Sequence, residues 1–297
     1  MNWDFLLQLL VNGAIVGTLY GVVAMCFVLI YKSTKIVNFA QGEFLLIGAW
    51  VCWALLVEFQ LPFWLGFLVT LLFMFIFGVL LQVVVLRPMI GEPILSVIML
   101  TIGLSIVFQS TLAWIFGEWT KRFPEVFSVD SVNVLGLQVQ TAYLMSLVFA
   151  LVIMVGFYYF FQYSRMGLAM RATAFDQQVA ASLGISIKHV FALAWAISAM
   201  VSAMAGVVIG MVNGVSSALS FFGIKVFPAA ILGGLDSIVG AVVGGLIIGL
   251  LENAAQFVDS TWLNWGNLYE IVPFYVLVII LMIKPYGLFG TKDIERI

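Results

Sequence analysis

The chain has 297 residues, of which 64% are hydrophobic and only 9% are charged. Soluble domains are about half apolar and about a quarter charged, so no soluble fold of this length can hide so much apolar surface. The formal net charge is -2 and the basic residues are scattered along the chain, which excludes a nucleic-acid partner. The composition indicates a protein whose solvent is membrane lipid.

Long unbroken apolar runs predict an all-α, polytopic integral membrane protein that forms a single transmembrane domain over residues 1–297. A spanning helix needs about 20 apolar residues, and in lipid each helix satisfies its own backbone hydrogen bonds. The runs predict about eight to nine transmembrane helices. These cover residues 5–30, 36–57, 62–86, 94–116, 141–163, 189–212, 238–257 and 269–284, with a short broken or re-entrant helix near 222–235.

Glycines recur at four-residue spacing in the first run and again late in the chain. Small residues at this spacing let two helix backbones approach closely in a membrane. The pattern predicts tight helix packing and says nothing about a substrate. The glycines are Gly13, Gly17, Gly21, Gly240, Gly244, Gly245 and Gly249.

Several polar residues lie in or near the apolar runs, where polar groups are costly and tend to face a pathway or the bundle interior. Glu43 is open to two interpretations, a pathway role or a place in the headgroup layer. Glu252 either lines a cavity or bonds a neighbouring helix, and Asp236 follows two glycines as a turn residue would. The possible pathway residues are Asn12, Asn38, Gln41, Glu43, Glu252 and Asn253.

Basic residues set the predicted orientation, because they concentrate on the cytoplasmic side of membrane proteins. With the N-terminus outside, every Lys and Arg becomes cytoplasmic except Lys121, Arg122 and Lys225. The cytoplasmic set includes Lys292 and Arg296 of the tail. The polar segment 117–140 is then external and the segment 164–188 is cytoplasmic.

A polar, alanine-rich helix is predicted at residues 171–185 of that cytoplasmic segment. Its apolar residues recur at four-residue spacing, and a glycine follows where a helix ends. Few large hydrophobic anchors and few basic residues favour docking to a soluble partner over lying on the inner leaflet. The residues assigned to this contact are Arg171, Ala172, Phe175, Asp176, Val179, Ala180, Leu183 and Gly184.

No pattern in the sequence predicts an enzyme. His189 is the single histidine and has no acid or nucleophile placed with it. The chain contains neither metal-ligand spacing nor a glycine-rich phosphate-binding loop, so an ATPase that drives it would be a separate chain. Cys26 and Cys52 both fall inside predicted spans and are interpreted as small buried apolar residues.

Four stretches, among them Asn-Phe-Ala-Gln-Gly-Glu at 38–43, together resemble the permease subunits of ABC importers of the branched-chain amino acid type. The resemblance covers nearly the whole chain in order. The stretches are 12–31, 38–43, 171–185 with 203–207, and 229–234 with 240–249, and the tail 284–290 also looks like the ending typical of this family.

The resemblance implies an ATP-driven importer in the bacterial inner membrane. This chain would form the pathway with a second, paralogous permease subunit. Two cytoplasmic ATPase subunits would bind ATP and Mg, and a periplasmic substrate-binding protein would deliver the solute. The helix at 171–185 matches the coupling helix through which ATPases of this family act on the permease.

The sequence departs from the family pattern at three positions, which leaves the cargo open. Gln41 stands where the family usually has histidine, and Asp236 and Val239 replace a glycine and a proline. The cargo is a branched-chain amino acid or a related small polar or carboxylate solute, such as urea or an amide. The alternative function is a stand-alone secondary transporter or channel, which would need coupling-ion ligands or a selectivity element at the membrane midplane.

Overall fold

The computed structural model describes residues 3–124, 131–134 and 137–291, and most of these residues are helical. The predicted all-α membrane fold is confirmed. Lys292 and Arg296, two of the basic residues predicted to be cytoplasmic, lie outside the described residues. Residues 125–130 and 135–136 of the predicted external segment also lie outside them.

The helices follow the predicted apolar runs closely. A two-stranded antiparallel hairpin between the fourth and fifth helices was not predicted, and in it Ser131 pairs with Gln140. The elements are α1 (Trp3–Thr34), α2 (Gln41–Val57), α3 (Phe63–Leu81), α4 (Ile94–Phe116), β1 (Ser131–Val134), β2 (Leu137–Gln140), α5 (Thr141–Tyr163), α6 (Arg165–Phe175), α7 (Gln177–Ser182), α8 (Ile187–Asn213), α9 (Phe221–Gly233), α10 (Ile238–Val258) and α11 (Leu268–Ile283).

Six helices of the described chain are long and apolar enough to cross a membrane, and three shorter apolar helices accompany them. The short helix predicted near 222–235 is one of these three. The left-handed Lys35, with φ 60°, ends α1. The second helix begins at Gln41 rather than at 36, because the Asn38 side chain accepts from the Ala40 N–H at 3.1 Å in a local turn that competes with a helix. Residues 35–40 therefore form a non-helical connection between α1 and α2.

The chain divides into two compact units. Unit 1 comprises Met1–Val28, Phe127–Val148 and Lys225–Ile297. Unit 2 comprises Leu29–Val126 and Phe149–Ile224.

In unit 1 the two glycine rows meet, α1 against α10. A Cβ atom built on Gly17 would lie 2.9 Å from the Leu246 Cα, and one built on Gly13 would lie 2.8 Å from the Gly249 carbonyl oxygen. Real Cβ atoms do not approach other atoms so closely, so only glycine permits this backbone contact. The remaining glycines make comparable contacts, Gly21 with Gly245, Gly240 with Gly233, and Gly244 with the Ala229 carbonyl.

In unit 2 helix α2 occupies the interior, with α8 and α3 packed against it. Phe44 lies fully buried between aromatic rings, with centroids 6.1 Å from Trp195 and 5.9 Å from Phe77. The backbone of Gly206 on α8 touches the backbone of Leu45 on α2. These contacts explain why α2 is apolar on all sides beyond its first turn, since a helix buried all round has no face that needs polar residues.

The helices differ in how much of their apolar surface the chain itself covers. In the apolar stretch of α1 that could span a membrane, 89% of the residues are buried, whereas in that of α4 only 11% are buried. Exposed apolar surface of this extent on α4 needs lipid or another subunit as its cover.

A carboxylate closes the connection between α10 and α11. Asp259 begins a π-helical turn at the end of α10. Its side chain accepts backbone N–H bonds from Trp265 at 2.7 Å, Gly266 at 3.0 Å and Leu268 at 3.4 Å. These bonds satisfy donors at the start of α11 that have no intrahelical partner.

Candidate functional site

The predicted cytoplasmic helix is in fact two short helices, α6 and α7, which meet at Asp176. Asp176 has an extended backbone with φ -153°, and its carboxylate accepts from the N–H groups of Gln178 at 2.8 Å and Val179 at 2.9 Å. Aspartate is among the preferred N-cap residues, and here it ends one helix and begins the next. The four-residue apolar spacing predicted one continuous helix because it ignored this capping preference.

The end of α7 is fixed by a Schellman arrangement around Gly184. Gly184 has φ +84° and donates to the Ala181 carbonyl at 3.0 Å, while Ile185 donates to the Ala180 carbonyl at 3.0 Å. Glycine adopts this left-handed conformation without the steric cost of a Cβ. The predicted helix-ending role of Gly184 agrees with this geometry, with Leu183 as the cap residue itself.

Large apolar side chains point away from the protein on α6 and α7. Phe175 is 96% exposed, Leu183 is 75% exposed and Val179 is 54% exposed. The small residue Ala180 is buried on the opposite side, and Ala172 is half-buried. We call Phe175, Val179 and Leu183 the docking patch, after the contact that the sequence predicts for them.

Arg171 turns inward and not towards solvent. Its guanidinium donates to the carbonyls of Phe161 and Gln162 and lies 5.7 Å from the centre of the Phe161 ring. These are the last carbonyls of α5, which have no partner within the helix. Ser164 caps α6 by accepting from the Gly167 N–H at 2.8 Å, and its own backbone N–H donates to the Phe160 carbonyl of α5 at 3.1 Å, so α6 is attached to α5 at two points.

A neutral polar cluster lies at the start of α2 in unit 2. Asn38 donates to the Gln41 side-chain oxygen at 3.0 Å, and the Gln41 amide donates to Ser202 at 2.5 Å and to Ser198 at 3.3 Å. All four residues are buried, so two of the predicted pathway residues hydrogen-bond each other. We call Asn38, Gln41, Ser198 and Ser202 the neutral cluster.

Glu43 lies in the first turn of α2 and is only 4% exposed. Its Oε2 atom has no hydrogen-bond partner among the residues that the structure describes. The carboxyl group therefore lies in the interior of the protein and not at its surface.

A charged cluster lies in unit 1 and centres on Glu252 of α10. Lys225 of α9 forms an ion pair with the Glu252 Oε1 atom at 2.5 Å, and the Tyr20 hydroxyl of α1 donates to Oε2 at 2.8 Å. The Lys225 ammonium also lies 5.5 Å from the centre of the Tyr269 ring on α11. We call Tyr20, Lys225, Glu252 and Tyr269 the charged cluster.

Sequence reasoning assigned Lys225 to the outside of the membrane and missed Tyr20 and Tyr269. The structure places Lys225 within α9, where its charge is paired with Glu252. A signal was available, since two opposite charges in neighbouring apolar runs are expected to pair.

The other polar residues of the sequence prediction have local roles. Asn253 donates to the Gly249 carbonyl at 3.0 Å and fills space beside Gly13. Asn12 is half-buried. Asp236 lies in the turn between α9 and α10, as predicted, and accepts from Thr291 at 3.4 Å.

A bundle of apolar spanning helices that carries buried polar clusters and a small exposed helical pair defines a multi-pass membrane transport protein. The chain belongs to a family described as the branched-chain amino acid transport system permease component, whose family model matches residues 9–281. It is therefore a permease subunit, in agreement with the resemblance seen in the sequence.

Full-length relatives carry the same description. The permease protein LivH of a high-affinity branched-chain amino acid transport system is 30% identical over 99% of this chain and 98% of its own length, in Salmonella typhimurium and in Escherichia coli K12 alike. The permease protein BraD of Pseudomonas aeruginosa is 31% identical over 98% of both chains.

A solved structure, PsaBC from Streptococcus pneumoniae in complex with Fab, also resembles the chain. The TM-score is 0.51 at 15% identity, over 93% of this chain and 91% of that one. At this identity the likeness concerns the fold alone.

Proposed function

We propose that this chain is the permease subunit of an ATP-driven importer of branched-chain amino acids in a bacterial inner membrane. It pairs with a second, paralogous permease subunit and receives its solute from a periplasmic binding protein. Two cytoplasmic ATPase subunits bind ATP and Mg and drive it. The family and the transport role named for LivH and BraD support this assignment.

The observation that carries the ATPase contact is the exposure of the docking patch. Phe175 is 96% exposed on a segment whose flanking charges predict a cytoplasmic position. An apolar side chain of this size in water marks a surface that another protein covers. Aromatic anchors that fill a pocket carry much of the energy of such contacts.

The attachments of α6 and α7 suit them to transmit movement. Arg171 and Ser164 hold α6 against the end of α5, and the Asp176 cap and the Gly184 turn fix α7. A partner that shifts α6 and α7 therefore shifts the end of α5 with them. The energy comes from the different contacts that the ATPases make with the two states of the permease.

Among the polar residues of the interior, Glu43 and Glu252 are the ones we assign to the solute pathway. Both are buried carboxylates, and a buried carboxylate is too costly in a membrane to serve as filling. Asn38 and Gln41 hydrogen-bond each other, and Gln41 also bonds a serine of α8. These bonds fit a role in fixing the packing of α2 against α8.

The first experiment is purification of this chain in mild detergent together with the products of its neighbouring genes. Recovery of two ATPase subunits and a second permease, followed by ATP-dependent leucine uptake in proteoliposomes, is the expected result. A chain that purifies alone and transports a solute without ATP would be a secondary transporter, and the proposal would be wrong.

Substitution of the docking patch tests the coupling contact directly. Phe175→Asp and Leu183→Asp should each reduce ATPase co-purification by about thirtyfold or more, the loss typical of a central interface residue. Trp119→Asp is the matched control, since Trp119 is 86% exposed in the segment predicted to be external. Normal ATPase recovery with both patch variants would exclude α6 and α7 as the contact.

A further inference from the structure

Four helices of unit 1 direct one side chain each to a single point. Glu252 of α10 receives the Tyr20 hydroxyl of α1 on one oxygen and the Lys225 ammonium of α9 on the other. The Tyr269 ring of α11 faces the same ammonium at 5.5 Å. The side chains of Lys225 and Glu252 are 21% and 10% exposed, so the pair is largely enclosed and keeps a small exposed surface.

Packing alone does not account for this pair. Charges inside a membrane protein are costly and are usually tied to function. A buried ion pair is often no more stabilising than apolar residues of the same size, because the removal of both charges from water offsets their attraction. An ordinary helix contact at this place would be served by leucine and methionine.

The position of the Lys225 ammonium has the chemistry of a binding site for a primary ammonium group. It combines a carboxylate oxygen at 2.5 Å with the face of an aromatic ring, and each of these attracts a cation. The Tyr20 hydroxyl holds the second carboxylate oxygen and so fixes the carboxylate's orientation. Lys225 occupies the site as a ligand tethered to the chain.

We propose that Lys225 and Glu252 form an exchange site for the charged groups of a free α-amino acid, an inference that rests on the proposed importer function. The ammonium of the arriving amino acid takes the place of the Lys225 ammonium at Glu252 and Tyr269. The released Lys225 ammonium pairs with the carboxylate of the same amino acid. No covalent bond changes, and no net charge enters the interior.

This exchange keeps every charge paired in the empty and in the loaded state. A solute that carries only a carboxylate would leave Glu252 without a cation, and an uncharged amide or urea would compensate neither group. An unpaired buried charge is strongly destabilising, so both classes of solute are disfavoured. The site thus favours zwitterions, the chemical class to which the amino acids of the proposed function belong.

The structure of α9 suits a side chain that has to move. The helix contains Pro228, which has no N–H and therefore cannot close the helical hydrogen bond of its own turn. Lys225 lies one turn before Pro228, in the part of α9 that this missing bond loosens. Lys225 also carries its ammonium on a flexible four-carbon stem, so the ammonium can leave Glu252 by rotation of the side chain alone.

Neutral replacement separates an exchange site from a structural ion pair. The double variant Lys225→Met with Glu252→Gln removes both charges together, so neither remains unpaired. In the complete complex we expect normal assembly, with leucine uptake reduced by between about tenfold and about a hundredfold, since each lost contact involves a charged group. Uptake within about twofold of wild type would show a merely structural pair and overturn the inference.

The control is the double variant Lys284→Met with Glu270→Gln, which removes an exposed Lys and an exposed Glu at the two ends of α11. Like the test variant, it removes one positive and one negative charge, and it should leave leucine uptake unchanged. A complex that imports leucine normally in the wild type and in the neutral double variant refutes this inference alone. A wild-type complex that imports no amino acid refutes the proposed function first.

A second measurement uses only the wild-type complex, without its binding protein, so that neither misfolding nor delivery affects the result. Saturation-transfer NMR compares leucine with 4-methylpentanoate, which lacks the ammonium, and with leucinamide, which lacks the carboxylate. Each analogue should bind at least about tenfold more weakly than leucine. Equal binding of all three would overturn the inference.

Discussion

The two polar clusters provide partners for polar side chains in the protein interior in different ways. In the neutral cluster, amides and hydroxyls bond one another, with Gln41 at 2.5 Å from Ser202. In the charged cluster, Glu252 is held by a full positive charge on one side and a phenol on the other. A closed set of neutral hydrogen bonds fixes a shape, whereas a pair of opposite charges can be exchanged for another pair.

The largest difference in stability between the two clusters is expected when one charge of the charged cluster is removed. Glu252→Ala leaves the Lys225 ammonium buried without its carboxylate, and we expect a loss of about 3 to 5 kcal/mol in stability. The midpoint of thermal unfolding of the purified complex in detergent measures it. Restoration of the midpoint by adding Lys225→Met would show that the unpaired charge, and not the lost carboxylate, is responsible.

Next in size is a change in the helix contact that brings Tyr20 to Glu252. Gly249→Leu places a side chain into the backbones of Gly13 and Gly17, and forcing such a contact costs about 1 to 3 kcal/mol or more. Yield and unfolding midpoint should both fall. Gly103→Leu is the matched control, because a Cβ at Gly103 meets no atom within 4 Å; equal losses in the two variants would contradict the argument.

A smaller effect is expected from Tyr20→Phe, which deletes only the hydroxyl. A hydrogen bond to a charged group contributes about 1.5 to 3 kcal/mol, but the Lys225 ion pair remains. Because Tyr20 positions Glu252, the KM for leucine should rise while basal ATP hydrolysis stays the same. Loss of ATP hydrolysis in parallel with uptake would instead indicate a general folding defect.

The smallest effect is expected at Gln41 of the neutral cluster. Gln41→His retains a donor and an acceptor and should change stability by less than about 1 kcal/mol, whereas Gln41→Leu leaves Asn38 and Ser202 unsatisfied at a cost of about 1 to 3 kcal/mol. Thermal unfolding of the two variants compares them directly. Equal losses would show that volume and not hydrogen bonding dominates here.

The sequence predicted the helices well, because membrane thickness requires a minimum length of apolar residues and therefore leaves a local signal. The short helix near 222–235 and the turn at Asp236 followed from proline and glycine in the same way. Local spacing did not reveal the break at Asp176, where capping prevailed over periodicity. The start of α2 was also misplaced, because Asn38 was counted as part of the helix, whereas its side chain bonds the Ala40 N–H in a turn before it.

The charged cluster could be predicted only in part. Glu252 was identified as a costly polar residue, but its partners lie 27 and 232 positions away in the sequence. Which helices meet is decided by glycine contacts between α1 and α10 that no periodic pattern assigns to a particular pair. The exposed residues of the docking patch, by contrast, could be grouped from their four-residue spacing, because its members are close in sequence.

The Asp259 turn has a consequence for how the protein is made. Its carboxylate gathers the N–H groups of Trp265, Gly266 and Leu268, so the loop between α10 and α11 is closed by bonds within ten residues. Such local closure does not depend on any earlier helix. The turn that joins α10 to α11 can thus form as soon as this segment has left the ribosome, before either helix packs against an earlier one.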